Sequence, residues 1–423
     1  MGRLRNQNKG INVAHIVQLA LIMLLFVQVY SYVGAEWEIT RNQWTNVALA
    51  SQMARINSMM LCLKYGAFVL LLLAFFSVAK ITSSEAVGLI LISTFCVLYT
   101  VVDVMDDGII SSLYSSNIAI MYLLIVGFWL GRTKMIWDGV KKCVPCFLVI
   151  YIVMFAYEFI MSFGKFGWVI YQNSSLMNYY SHIFCMSIFY IYHKIDKKKP
   201  TPIIYFLLIF LVLGAFIIRS RAWIIQSVLM LVVVSVAISF LKKRSVAGAV
   251  KVLAFLLVFA IGVFWILSSY FGEFVASIVD KGTTDSRSFQ YVEIFQQTEW
   301  YLWILGQGTD ATYQSALYGE YSFIDNEFVY LSFHYGVIFA CLYFWPYVKT
   351  IFKCFSSKKY MHLAVFSACL IILWIFSVNG LSVFNRITLD VKSFIMPFFV
   401  GHIYHTAKTA CLCGADDENT VCS

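Results

Sequence analysis

Arginine is the residue type that could do chemistry here. Arg219-Ser220-Arg221 stands between two strongly apolar stretches, 203–218 and 222–241, with no acidic residue nearby in sequence. Arg287 and Arg386 fall on the same outer side in the topology set out below. A guanidinium is planar, stays charged in a low dielectric and grips phosphate oxygens through two parallel N–H donors. Several on one face make a pyrophosphate clamp. An ion at the bilayer centre costs about 2.5–3.5 kcal/mol, and less at the edge, which argues for a use. The bland alternative is snorkelling to the outer headgroups. Asp325-Asn326, where the chain re-enters an apolar stretch, adds a carboxylate, which beside a hydroxyl can act as a base, and an amide. The alternative for Asp325 is the cap of a helix beginning at Asn326.

Other polar residues invite plainer readings. Glu158 lies within an apolar stretch, where it lines a cavity or pairs with Lys165. His182 and His193 flank a polar stretch and are expected to make structural hydrogen bonds. Asp103, Asp106 and Asp107 are expected to form a solvated acidic outer loop, since their spacing fits no Ca²⁺ loop. The 11 cysteines do not read as a disulfide framework, and Cys143-Val-Pro-Cys146 has no second pair to complete a metal site. No P-loop, no dinucleotide-binding glycine pattern and no internal repeat is found. No metal and no cofactor is therefore expected.

The elements that position these residues are transmembrane helices. The 423 residues are 61% hydrophobic and 13% charged, with mean hydropathy +0.79. Apolar stretches near 14–34, 61–79, 86–102, 113–131, 143–163, 179–193, 202–218, 222–241, 248–268, 326–345, 363–379 and 391–407 give about twelve spans of roughly the 20 residues a bilayer needs. In lipid such spans must be helices, because each backbone amide has to be satisfied within its own segment. The expected fold is all-α: one polytopic helical bundle, residues 1–423, with a large periplasmic loop at 269–325 between spans nine and ten. The 179–193 stretch is polar for a helix facing lipid. With the N-terminus inside, most of the 31 lysines and arginines, and every clear lysine cluster, fall on the cytoplasmic side. Both termini are then cytoplasmic. The net charge of +9 reflects topology and anionic lipid and calls for no nucleic-acid partner. Within the loop, 285–300 is expected to be helical, with Asp285 or Ser286 as its cap. Phe289, Val292 and Phe295 share one face, and Leu305-Gly306-Gln307-Gly308 stops the helix. Such a helix can lie flat on the membrane.

The order of these features resembles the O-antigen polymerase (Wzy) and O-antigen ligase superfamily. Ile218-Arg219-Ser220-Arg221-Ala222-Trp223 is similar to the family's Ser-Arg turn opening an apolar span. Asp285-Ser286-Arg287, followed by Trp303-Ile304-Leu305-Gly306-Gln307-Gly308, resembles the start of the large periplasmic loop and its Leu-Gly-x-Gly end. Asp325-Asn326-Glu327-Phe328-Val329, leading to Tyr335-Gly336-Val337-Ile338, resembles the loop's exit. Ligases carry a His-Asn-like pair at that exit, and this chain has Asp325-Asn326, which favours the polymerase branch.

The resemblance implies an inverting, metal-independent glycosyltransferase of the bacterial inner membrane. Its donor and acceptor would be oligosaccharides on undecaprenyl pyrophosphate. A chain-length regulator protein is a further expected partner. Arg221 and Arg287 match the arginines that engage the donor pyrophosphate, with Arg219 and Arg386 assisting. Asp325 is the expected base and Asn326 an expected substrate ligand. Two rivals are an O-antigen ligase and a lipid-linked oligosaccharide flippase. A flippase explains buried cations but needs no long outer loop and usually shows two related halves. A small-anion transporter explains the arginines but not the loop.

Overall fold

A computed structural model describes residues 13–42, 58–79, 81, 83–115, 117–166, 174–218, 220–243, 286–308, 311–316, 319–321, 324, 326–356, 361–380 and 389–419. Long runs of Leu, Ile, Val and Phe, whose backbone polar groups have no water to turn to, close into helices. In chain order these are α1 (Val13–Asn42), α2 (Ser58–Val78), α3 (Ser83–Ser115), α4 (Asn117–Gly131), α5 (Lys134–Phe166), α6 (Ser174–Asp196), α7 (Pro202–Ile217) and α8 (Arg221–Lys243). There follow α9 (Ser286–Gln297), α10 (Trp300–Leu305), the antiparallel hairpin β1 (Tyr313–Ser315) and β2 (Gly319–Tyr321), α11 (Glu327–Tyr335), α12 (Val337–Phe355), α13 (Met361–Gly380) and α14 (Val391–Asn419). Seven of these helices, α1, α2, α3, α5, α8, α12 and α13, are long and apolar enough to cross a membrane, and α4 and α7 are shorter apolar helices. The chain is an all-helical, multi-pass membrane protein. The expected span at 248–268 and the loop residues 269–285 lie outside the described residues.

The bundle is built around α6 and the first half of α14. Nearly every residue of α6 from Leu176 to Tyr192, and of α14 from Val391 to Val400, is buried. The 179–193 stretch, polar for a helix facing lipid, thus faces protein instead. Enclosed on all sides, α6 can carry Asn178, Ser181, His182 and Ser187, because neighbouring helices supply their partners. The outer ring instead exposes its apolar side chains, such as Leu98, Val101 and Val153.

Close approach of α14 to α4 depends on glycines. A Cβ on Gly131 would sit 1.9 Å from the Phe398 carbonyl oxygen, and one on Gly401 would sit 1.9 Å from that of Phe128. Gly127 and Gly131 are four residues apart on one face of α4, the small-xxx-small spacing that lets transmembrane backbones touch. Gly127 also receives Pro397, which stands inside α14.

The ends of the bundle differ. At the lysine-rich end, Arg132 meets Glu85 at 3.0 Å, Lys408 approaches Glu85 at 3.5 Å, and Trp137 stacks on His402 with ring centroids 3.6 Å apart. These contacts gather the start of α3, the end of α4, the start of α5 and the later part of α14 at one end. Helices α3, α4 and α5 therefore alternate in direction.

Two further expectations are corrected. Asp103, Asp106 and Asp107 do not form a loop but continue α3, where no proline interrupts the helix and its one nearby glycine, Gly108, is accommodated. The 326–345 stretch is not one span but two helices broken at Gly336, which has φ +86°. A Cβ there would meet the Ile304 carbonyl oxygen at 2.1 Å, so the break makes room for the end of α10.

Candidate functional site

At the end opposite the lysines, three helix termini are tied together by side-chain hydrogen bonds. Ser377 of α13 donates to Gln226 Oε1 of α8 at 2.6 Å, and both residues are buried. Half a turn further along α13, Asn379 Oδ1 accepts the backbone N–H of Phe328 at 3.1 Å, which fixes the start of α11. The first residues of α8 and α11 and the last of α13 thus share one locus. Helix N-termini carry partial positive charge, which favours anions, and at α11 the Phe328 and Val329 N–H groups are already taken by Asn379 and Asn326. Trp223, two residues past Arg221, is buried, and its indole N–H has no acceptor among the described residues.

The end of α10 and the turn after it pack against the α11–α12 break. Gln307 N–H donates to the Phe333 carbonyl at 3.0 Å, Gly308 N–H donates to that of His334 at 2.9 Å, and His334 Nδ1 lies 2.8 Å from the Gly308 carbonyl. The Tyr99 hydroxyl reaches the carbonyl oxygens of Leu305 and Tyr335. Irregular backbone beside the membrane is tolerated only when its polar groups are satisfied by protein, and these contacts do so. Gly306, at φ +83°, completes the fit, because a Cβ would press on the His334 carbonyl oxygen at 2.5 Å. The Leu-Gly-Gln-Gly sequence is thus a docking turn against the α11–α12 break as well as the stop of α10.

The residues expected from sequence fall as follows. Arg221 is the first residue of α8 and Arg287 the second of α9. Asn326 is the N-cap of α11: its Oδ1 accepts the Val329 N–H at 3.0 Å. That oxygen is engaged in capping, which leaves the amide N–H₂ for any substrate contact. It also moves the capping alternative from Asp325 to its neighbour, since α11 begins at Glu327. Asp325, Arg219 and Arg386 lie outside the described residues. Sequence reasoning passed over Glu327, which is 1% exposed and whose charge acts on Tyr343 and Tyr347 of α12. It had appeared only as part of a motif. Its signal was its place just after an Asn able to cap, where a first-turn carboxylate is favoured.

A second polar cluster was not foreseen. Asp390, just before α14, is 2% exposed and faces His182 of α6 (Nε2–Oδ2 3.3 Å) and Lys392 (Nζ–Oδ2 3.4 Å). Its other oxygen accepts the Ser393 N–H at 2.9 Å and hydroxyl at 2.8 Å. Lys392 also donates to Asn178 Oδ1 at 2.9 Å and Ser181 Oγ at 3.1 Å. The charge of buried Lys64 on α2 acts on the same carboxylate. The His182 Nδ1–H goes to the Asn178 carbonyl at 2.8 Å, so in the neutral ring Nε2 accepts from the Gln28 amide at 2.8 Å. Gln28 Oε1 in turn accepts from the Tyr151 hydroxyl at 2.7 Å. His182 thus makes the structural hydrogen bonds expected of it, within a network joining α1, α2, α5, α6 and α14.

Comparison with known proteins gives no match, whether to a family model, a curated protein or a solved structure.

Proposed function

We propose that this protein polymerises lipid-linked oligosaccharide repeat units at the outer face of the bacterial inner membrane. The observation that carries the reading is the hydrogen-bonded join of α8, α13 and α11 through Gln226–Ser377 and Asn379–Phe328. It ties α8 and the start of α11 to the end of α13, which supports a site that draws on Arg221 and Asn326. In this reading the chain has twelve spans, both termini lie in the cytoplasm, and the lysine-rich end is the cytoplasmic one.

The reaction follows from the donor. The acceptor sugar hydroxyl attacks the anomeric carbon of the growing chain, a new glycosidic C–O bond forms with inversion, and the bond to undecaprenyl pyrophosphate breaks. Arg221 and Arg287, with Arg219 and Arg386, hold the pyrophosphate and offset the charge it gains on leaving. Asp325 takes the hydroxyl proton. Glu327, buried two residues on, is a second carboxylate at the same helix start. No nucleotide is consumed, because the glycosyl pyrophosphate bond carries the energy.

The test is glycan profiling of a strain lacking the protein. A polymerase defect leaves a single repeat unit on the lipid acceptor. A ligase defect leaves none, and a flippase defect strands the precursor in the cytoplasmic leaflet. Topology is tested separately by reporter fusions, with cytoplasmic signal expected after Lys199 and Arg244 and periplasmic signal near Gly308. A cytoplasmic signal at Gly308 would turn the proposed site to the wrong compartment.

A further inference from the structure

Helix α9 is inside out. Three of its polar side chains are engaged by the protein: Gln290 donates to the Tyr313 hydroxyl at 2.6 Å, Glu293 accepts the Ala316 N–H at 2.9 Å, and Gln297 exchanges two hydrogen bonds with the backbone of Gln314, at 2.7 and 2.8 Å. Ile294 is buried beneath the helix, but the apolar side chains Phe289, Val292 and Phe295 point away, 70%, 52% and 58% exposed. In water this arrangement is upside down, because apolar area left in solvent forgoes roughly 25 cal/mol per Å². The exposure continues into α10, through Trp300, Tyr301 and Leu305. Phe295 and Trp303 stack with centroids 4.5 Å apart, so the two helices present one joined surface.

The place of this surface in the bundle names its occupant. The Leu305 carbonyl is hydrogen-bonded by Tyr99, near the outer end of the membrane-crossing stretch Glu85–Val102. Beside Tyr99 on that stretch, Leu98, Val101 and Val102 are exposed toward the bilayer. Exposed Leu305 and Ile304 therefore lie at the depth of side chains already in lipid. Trp300 and Tyr301 stand one turn back along α10, which suits the aromatic belt of a membrane interface.

We propose that α9 and α10 form a lipid-docked platform. The Phe289–Val292–Phe295 face lies in the headgroup–acyl boundary of the outer leaflet, and the end of α10 dips into the edge of the hydrocarbon. The hairpin rides on the opposite, polar side of α9. The platform holds the outer segment at the membrane surface whatever reaction the protein performs, so its test is independent of glycan chemistry.

The full-length chain is expressed with a photo-reactive phenylalanine analogue at Phe289, Phe295 or Trp300, purified, and placed in nanodiscs of phosphatidylethanolamine and phosphatidylglycerol. Hairpin position Glu320 serves as the polar control. After illumination, phospholipid adducts are expected at the three apolar positions and not at Glu320. Cross-linked dimers from the three positions would instead assign the face to a second copy and overturn the proposal. Absence of phospholipid adducts at all three, in protein that remains monodisperse, would overturn it as well.

Discussion

Two clusters of ionisable groups sit at different depths in this bundle. Asp390, His182 and Lys392 are almost completely enclosed, and each is also held by a neutral donor or acceptor. Glu85, Arg132 and Lys408 occupy the lysine-rich end, where Lys408 keeps 35% of its side chain exposed and Arg132 lies beside the Trp129 and Tyr404 rings. The difference is one of dielectric. A carboxylate in the enclosed cluster has no water to fall back on, so removing it strands buried cations. The carboxylate at the end, Glu85, is buried as well, but one of its two cations, Lys408, reaches water, so less charge is stranded when it is removed. The first cluster fixes helix arrangement, and the second trims it.

The largest effect is expected from Asp390→Ala. Breaking a buried ion pair costs about 3–5 kcal/mol when the partner charge stays behind. Membrane-inserted protein should fall sharply, and the remainder should melt at lower temperature in detergent. Asp390→Asn, which keeps the shape and the Ser393 contacts, should recover part of the loss. Normal abundance and melting for the alanine variant would show that Lys392 and Lys64 do not depend on this carboxylate.

A middle-sized effect is expected at the start of α11. Asn326→Ala removes the observed cap and should cost about 0.5–2 kcal/mol, read as lower thermal stability. Asp325→Asn should leave stability unchanged, because Asn326 carries the cap, while repeat-unit ladders shorten. A full ladder from Asp325→Asn would remove Asp325 from the chemistry.

The smallest effect is expected from Glu85→Gln. Glu85 and Arg132 are also buried, with side chains 7% and 13% exposed, but glutamine keeps an acceptor for Arg132 and Lys408 keeps its access to water, so the loss of abundance should be smaller than that of Asp390→Ala. A loss as large as that of Asp390→Ala would erase the contrast between the two clusters.

Apolar runs made the bundle legible, because a run of Leu, Ile and Val long enough to cross the bilayer has one stable form. The break at Gly336 was hidden in such a run, since it comes from a tertiary approach by Ile304 and not from composition. The enclosure of α6 was hidden for a similar reason: polarity within a span marks burial in protein as readily as it marks a poor span. His182 and Asp390 are 208 residues apart and meet only after folding, so no local spacing announces them. At the outer end, the three motifs around Arg221, Arg287 and Asn326 were visible in sequence. The Gln226–Ser377 and Asn379–Phe328 ties, which join the helices of Arg221 and Asn326 through α13 and do not involve that of Arg287, were not.

The central claim is that arginines at the outer end grip a lipid pyrophosphate. It is tested most directly by the repeat-unit ladders of Arg221→Lys and Arg287→Lys, read alongside membrane protein level. Lysine keeps the charge but loses the bidentate fork. The account predicts that each variant loses most chain extension at normal protein level. Full-length polymer from both would reduce these arginines to membrane anchors and contradict it.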